Sequence, residues 1–160
     1  MHDRATELIR ELSLEPHPEG GYFREVFRSP HQVKPLDKRP TRSALTTIYF
    51  LLVEGQHSRW HRVASDEAWH FYEGDPLVVY WIDGENGVHE EVLASGSSNG
   101  RPLCVVPAGC WQAAKPRGGY SLVGCTVGPG FDFQDFEMIS NESAEAMQIT
   151  ALDPDFRELL

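Results

Sequence analysis

Apolar and polar side chains alternate along most of this chain, the two-residue period of strands with one face buried. Tyr22, Arg24, Val26 and Arg28 share one face of a predicted strand over 22–28, with Phe23, Glu25 and Phe27 on the other. Similar patterns predict strands over 59–63, 67–72, 77–83, 88–94, 103–106, 111–114 and 120–127. Residues 43–53 are strongly apolar and read as a strand buried on both faces. The period changes at the ends. Ala5, Leu8, Ile9 and Leu12 recur at helical spacing and predict a helix over 3–12, capped by Asp3 or Thr6. A short helix is expected over 141–147. Asp153 followed by Pro154 is a cap and first helical position for a last helix reaching Leu160.

Turn residues separate these runs. Pro16, Pro18, Gly20 and Gly21 end the first helix, and 83–87, DGENG, reads as a hairpin turn. Residues 29–42 hold three prolines and read as a long loop, a lid, an interface arm or a solvated connection. Residues 95–101, SGSSNGR, read as a flexible loop. Short strands without alternating helices imply an all-β fold, closed or sandwiched, in one domain spanning 1–160.

Composition narrows the function classes. A formal net charge of −10, with no basic run, argues against a nucleic-acid partner. No apolar run approaches the roughly 20 residues of a membrane span, and MHDRATELIRE has no signal-peptide core. Cys104, Cys110 and Cys125 sit among apolar neighbours without a CxxC spacing, which predicts buried free thiols and a cytoplasmic setting.

The chemistry concentrates between Gly55 and Gly74, GQHSRWHRVASDEAWHFYEG. Two strands joined at Ala64, Ser65 and Asp66 place His61 with Val63 on one face, and Glu67 with Trp69 and Phe71 on one face of the next. If Val63 and Phe71 point inward, so do His61 and Glu67. A buried imidazole and carboxylate are costly unless they bind or react. His70 takes the opposite face unless a bulge at Ala68 turns it inward. The other histidines, His17 among them, fall in termini, loops or turns and are expected to be solvated.

This stretch resembles the first conserved motif of the cupin superfamily: Gly, five residues, His-x-His, three or four residues, Glu, six residues, Gly. Gly55, His61, Glu67 and Gly74 fall in register, and Val63 replaces the second histidine. The second cupin motif, Pro-x-Gly, two residues, His, is matched by Pro107, Ala108, Gly109, Cys110 and Trp111, with Gln112 in the histidine's place. Ser65 to Gly74 also resembles the SDExWHFYxG pattern of a cupin branch described as predicted sugar epimerases.

The resemblance implies a double-sheet jelly roll, a β-barrel over about residues 20–140, with short peripheral helices at both ends. It implies an epimerase or isomerase acting on a small polar, sugar-derived substrate. His61 would abstract a proton, Glu67 would orient it and Gln112 would hold a substrate oxygen. The dTDP-sugar epimerases are similar again at Glu19, Gly20, Gly21, Tyr22, Phe23, Arg24 and Glu25. Their catalytic tyrosine has no counterpart within 121–126, and Tyr120 stands just before that strand.

Trp69 and Trp111 are the candidate ring-binding walls, and Arg24 and Arg59 the candidate anion binders. The same resemblance leaves room for a metal-dependent oxygenase or decarboxylase, with a divalent transition metal held by His61, Glu67 and Gln112, or for a non-catalytic binding protein. A homodimer and a small-molecule ligand are the expected partners.

Overall fold

The computed structural model describes residues 2–96 and 100–160. In chain order the elements are α1 (Asp3–Glu11), β1 (Glu15–Pro16), β2 (Tyr22–Arg28), β3 (Gln32–Val33), β4 (Arg42–Ser43), β5 (Thr46–Val53), β6 (Ser58–Val63) and β7 (Asp66–Gly74). Then follow β8 (Leu77–Ile82), β9 (Val88–Leu93), β10 (Leu103–Val106), β11 (Trp111–Pro116), β12 (Tyr120–Gly128), β13 (Phe136–Met138) and α2 (Ala144–Leu152). A 3-10 segment, Pro154–Leu159, ends the chain.

Two antiparallel sheets build the domain. One is ordered β1-β2-β5-β12-β7-β10 and the other β13-β6-β11-β8-β9. Phe50, Leu52, Trp69, Val79, Val106 and Val123 fill the space between them. The expected closed barrel is therefore a sandwich: no backbone ladder joins the sheets among the described residues. Their faces are sealed by side chains instead, as in a jelly roll.

The terminal helices cover outer faces. Ala5 and Leu8 of α1 pack on Leu51, Val53 and Leu122 of the six-stranded sheet. Ala146, Ile149, Phe156 and Leu159 cover Trp60, Ile82 and Ala113 of the five-stranded sheet. The cap of α1 is His2, whose Nδ1 accepts from the Arg4 amide, rather than Asp3 or Thr6. Ser143 caps α2, so that helix starts later than the expected 141. Asp153 caps the last segment as expected, but its turns are 3-10.

The proline-rich stretch 29–42 is more ordered than its composition implies. Its ends pair as β3 and β4, and the apolar strand read from residue 43 begins at Thr46. Arg42 donates to both Asp135 oxygens at 2.8 Å, and Arg39 reaches Asp135 at 3.1 Å and Ser65 Oγ at 2.9 Å. These bonds tie the loop to the aromatic segment carrying Phe131, Phe133 and Phe136. Residues 97–99 of the expected loop 95–101 lie outside the described residues. Cys104, Cys110 and Cys125 are free and buried, and no helix among the described residues is long and apolar enough to cross a membrane.

Candidate functional site

A cavity of about 260 Å³ opens between the sheets at one end of the sandwich. His61 comes from β6, next to Gln112 of β11 and Met138 of β13. Glu67 opens β7, between Val127 of β12 and Val106 of β10. Both side chains line the cavity, as their alternation predicts. His17 and Glu19 line it too. They come from the turn before β2, which sequence reading leaves as a loop.

That turn is folded inward by backbone geometry. Gly20 has φ +112° and Gly21 φ +74°, left-handed values that suit glycine. A Cβ on Gly20 would collide with the His57 carbonyl, and one on Gly21 would lie 2.6 Å from the Leu51 carbonyl oxygen. The Glu19 carbonyl accepts from the Arg59 amide at 2.9 Å, so the turn is stitched to the start of β6. The Glu19 side chain then points into the interior, where Ser58 Oγ donates to Oε1 at 2.8 Å.

Glu19 Oε2 lies 3.3 Å from His61 Nε2. The other imidazole nitrogen, Nδ1, lies 2.7 Å from the Arg59 carbonyl oxygen. A carbonyl only accepts, so Nδ1 carries the proton and Nε2 presents its lone pair. Burial lowers the pKa of His61, which keeps the ring neutral. Burial pushes the Glu19 carboxyl up to about 8. Burial thus favours the neutral Glu19 acid, whose Oε2 faces the Nε2 lone pair. His17 sits beside them, its pKa lowered to about 4 by burial and by His61, with Nδ1 accepting from the Glu19 amide. Its side chain is only 8% exposed, which corrects the expectation of a solvated residue.

Glu67 is held differently. Gln112 Nε2 donates to Glu67 Oε2 at 2.6 Å, and Gln112 Oε1 accepts from Trp69 Nε1 at 3.1 Å. The Cys125 thiol also bonds Glu67. Burial raises the Glu67 pKa to about 7, partly offset by His61. The Arg59 carbonyl and Glu19 are thus the nearest polar neighbours of the His61 nitrogens, and Glu67 acts on the ring through charge. Phe23, Phe50, Phe131, Phe133 and Phe136 complete the wall and supply the desolvation behind these shifts.

The other sequence candidates lie outside the cavity lining. Arg24 donates to the Leu12 carbonyl at 3.1 Å and Arg59 to Asn141 at 3.1 Å. Trp69 is core, and its indole serves Gln112. Trp111 packs on the outer face under the C-terminal segment, with the Arg62 guanidinium 4.6 Å over its ring. His70 keeps regular register opposite Leu103 and Gly124, and the irregularity falls between Leu122 and Val123. No tyrosine among the described residues lines the cavity; Tyr120 donates to Glu73.

The metal set does not fit. Gln112 turns its NH₂ toward Glu67, gives its carbonyl oxygen to the Trp69 indole and lies outside the cavity lining, so it offers no ligand atom to the cavity. Among the described residues no group of three or more His, Cys, Asp or Glu is arranged to hold a metal ion.

The family model described as "Cupin superfamily (DUF985)" matches residues 6–139. The chain belongs to the cupin superfamily. Among solved structures, protein SO0799 from Shewanella oneidensis is 37% identical with a TM-score of 0.80, covering 98% of this chain and 94% of that one. A hypothetical protein from Leishmania major is 34% identical with a TM-score of 0.81, covering 97% and 96%. Uncharacterized protein YML079W of Saccharomyces cerevisiae is 29% identical over 153 residues, 85% of this chain and 75% of its own length. This cupin thus keeps the glycine frame of the superfamily motifs around a site built from carboxyls and neutral imidazoles.

Proposed function

We propose that this cupin is an isomerase or epimerase that moves a proton on a small polar, sugar-derived substrate. The observation that carries the reading is the Glu19–His61 contact at 3.3 Å, in the same cavity as Glu67. The pair holds one proton, deliverable from Glu19 Oε2 or, after transfer, from His61 Nε2. Glu67, with a pKa raised to about 7, is available as the base. Two proton-carrying sites of different acidity around one cavity are what keto–enol chemistry requires.

In the step proposed, the C–H bond next to a substrate carbonyl breaks and its proton passes to the Glu67 carboxylate. The electron pair moves onto the carbonyl oxygen, which takes the proton of the Glu19–His61 pair. Return of a proton to that carbon from the opposite face gives the epimer, and return to the former carbonyl carbon of an enediol gives the isomer. In either case an enol O–H hands its proton back to the Glu19–His61 pair as the carbonyl re-forms. Gln112 acts on Glu67 rather than on substrate, fixing the carboxylate by its hydrogen bond.

The test is solvent-deuterium exchange. Neutral aldoses, ketoses and sugar lactones are incubated with the protein in D₂O and followed by proton NMR. Deuterium should enter a carbon next to a carbonyl, and Glu67→Gln should abolish it. Exchange with none of these compounds, or exchange unchanged in Glu67→Gln, would overturn the reading.

A further inference from the structure

The mouth of the cavity carries charges that the proton-transfer centre does not use. Glu25 and Arg28 lie there, with side chains 41% and 42% exposed. Arg28 Nε donates to Glu25 Oε1 at 3.0 Å and Nη2 to Oε2 at 2.7 Å. Its Nη1 donates to the Phe131 carbonyl at 3.0 Å. Among the described residues Arg28 is the only arginine or lysine of the lining, and its fork is already closed on Glu25. Asp132 adds a further carboxylate to the rim. Deeper in, His17 and His61 are neutral and Glu67 contributes a further carboxyl group.

We propose that the Glu25–Arg28 pair is a specificity device that rejects anions, so that the site takes a compact, electrically neutral ring-shaped molecule. The inference rests on the proton-transfer reading for its choice of cavity and narrows the substrate class. An incoming phosphate or carboxylate meets Glu25, Asp132 and Glu67 with no unpaired cation to replace its water. Size points the same way. An apolar cavity of about 150 Å³ already takes benzene. The 260 Å³ here accommodates one substituted ring. Drug-sized ligands need roughly 300–1,000 Å³. The phenylalanine wall suits a ring face, and the Glu19, His61 and Glu67 floor suits hydroxyl and carbonyl groups.

The test is a pair of isosteric probes, benzyl alcohol and benzoate, titrated into the 18.0 kDa protein by amide NMR. Benzyl alcohol should shift the amides of Phe23, Ile48 and Val127, and benzoate should bind at least roughly tenfold more weakly. Glu25→Gln opens the arginine fork. It should strengthen benzoate binding by roughly tenfold while leaving benzyl alcohol within about twofold. Adding Arg28→Gln to that variant should remove the gain. Benzoate binding as tightly as benzyl alcohol in the parent, an unchanged benzoate affinity in Glu25→Gln, or no shift with either probe would overturn the inference. If the charge series fails while deuterium exchange persists, only this inference falls. If exchange is absent while the charge series holds, only the proton-transfer reading falls.

Discussion

Gln112 bridges the two sheets: its amide nitrogen donates to Glu67 at 2.6 Å and its oxygen accepts from the Trp69 indole at 3.1 Å. All three side chains are buried. The amide sits where the cupin motif has a histidine, and it orients a carboxyl instead of holding an ion. The substitution Gln112→Leu leaves a buried indole N–H without a partner and a buried acid with only the Cys125 thiol. The expected cost is about 1–3 kcal/mol for the orphaned N–H, read from urea denaturation. The lost hydrogen bond is also one that lowers the Glu67 pKa, so the Glu67 midpoint should rise. A Gln112→Leu variant as stable as the parent, with Glu67 titrating unchanged, would contradict this arrangement.

Stability should fall as pH rises through the neutral range. Glu19 and Glu67 have folded pKa values of about 8 and about 7, above the ordinary 4.5. Between the ordinary and the folded values the native state binds more protons than the unfolded chain, so unfolding free energy declines with pH. His17, His57 and His61 work the other way, being lowered from 6.5, and their opposing effect fades over roughly the unit above that pH as the unfolded imidazoles lose their protons. From about pH 7.5 the carboxyl effect stands alone. Glu19 by itself removes up to about 2 kcal/mol between pH 6.5 and pH 8. Denaturant unfolding of the parent and of Glu19→Gln across that range checks it. The glutamine variant should show a shallower decline, and equal slopes would count against a protonated Glu19.

Metal affinity should be weak in the parent and created by restoring two histidines. Val63 lines the cavity, and Gln112 pairs in register with His61. Val63→His with Gln112→His puts two imidazoles beside His61 and Glu67, the ligand set of metal-binding cupins. Titration with manganese or nickel should give much tighter binding to the double variant. Equal binding by the parent would mean that it contains ligands other than these.

The sheet framework was legible in the sequence because alternation is a local signal. The expected strands over 22–28 and 103–106 coincide with β2 and β10. His61 and Glu67 were likewise legible, since their parity with Val63 and Trp69 fixes which way they point. Glu19 and His17 were not. They lie in a proline–glycine turn, and their burial is made by distant partners: Ser58, Arg59 and His61. The repeated glycines after Glu19 were the available signal, because left-handed backbone lets a turn fold inward. Trp111 shows the same limit from the other side. Its strand was recognised, but the face it occupies is decided by the C-terminal segment packed there. The motif frame put Gln112 on the strand beside His61, while its partner depended on the approach of the second sheet.

Catalysis by this pair should be confined to a narrow pH window. Glu67 must be ionised to accept a proton and Glu19 must be protonated to supply one. Deuterium exchange should therefore peak between about 7 and about 8 and fall on both sides. Glu19→Gln should flatten the alkaline limb. A rate that keeps rising with pH would place the acid elsewhere.

A proton shared between Glu19 Oε2 and His61 Nε2, 3.3 Å apart, is expected to rest on the carboxyl at neutral pH, because burial favours the neutral acid. The most direct measurement of that sharing is NMR of protein labelled with carbon-13 at glutamate carboxyls and nitrogen-15 at imidazoles, titrated through neutral pH. The expected result is a Glu19 carboxyl that is protonated at pH 7 and titrates near 8, and a neutral His61 with its proton on Nδ1. An ionised Glu19 beside a doubly protonated His61 imidazolium at pH 7 would contradict it.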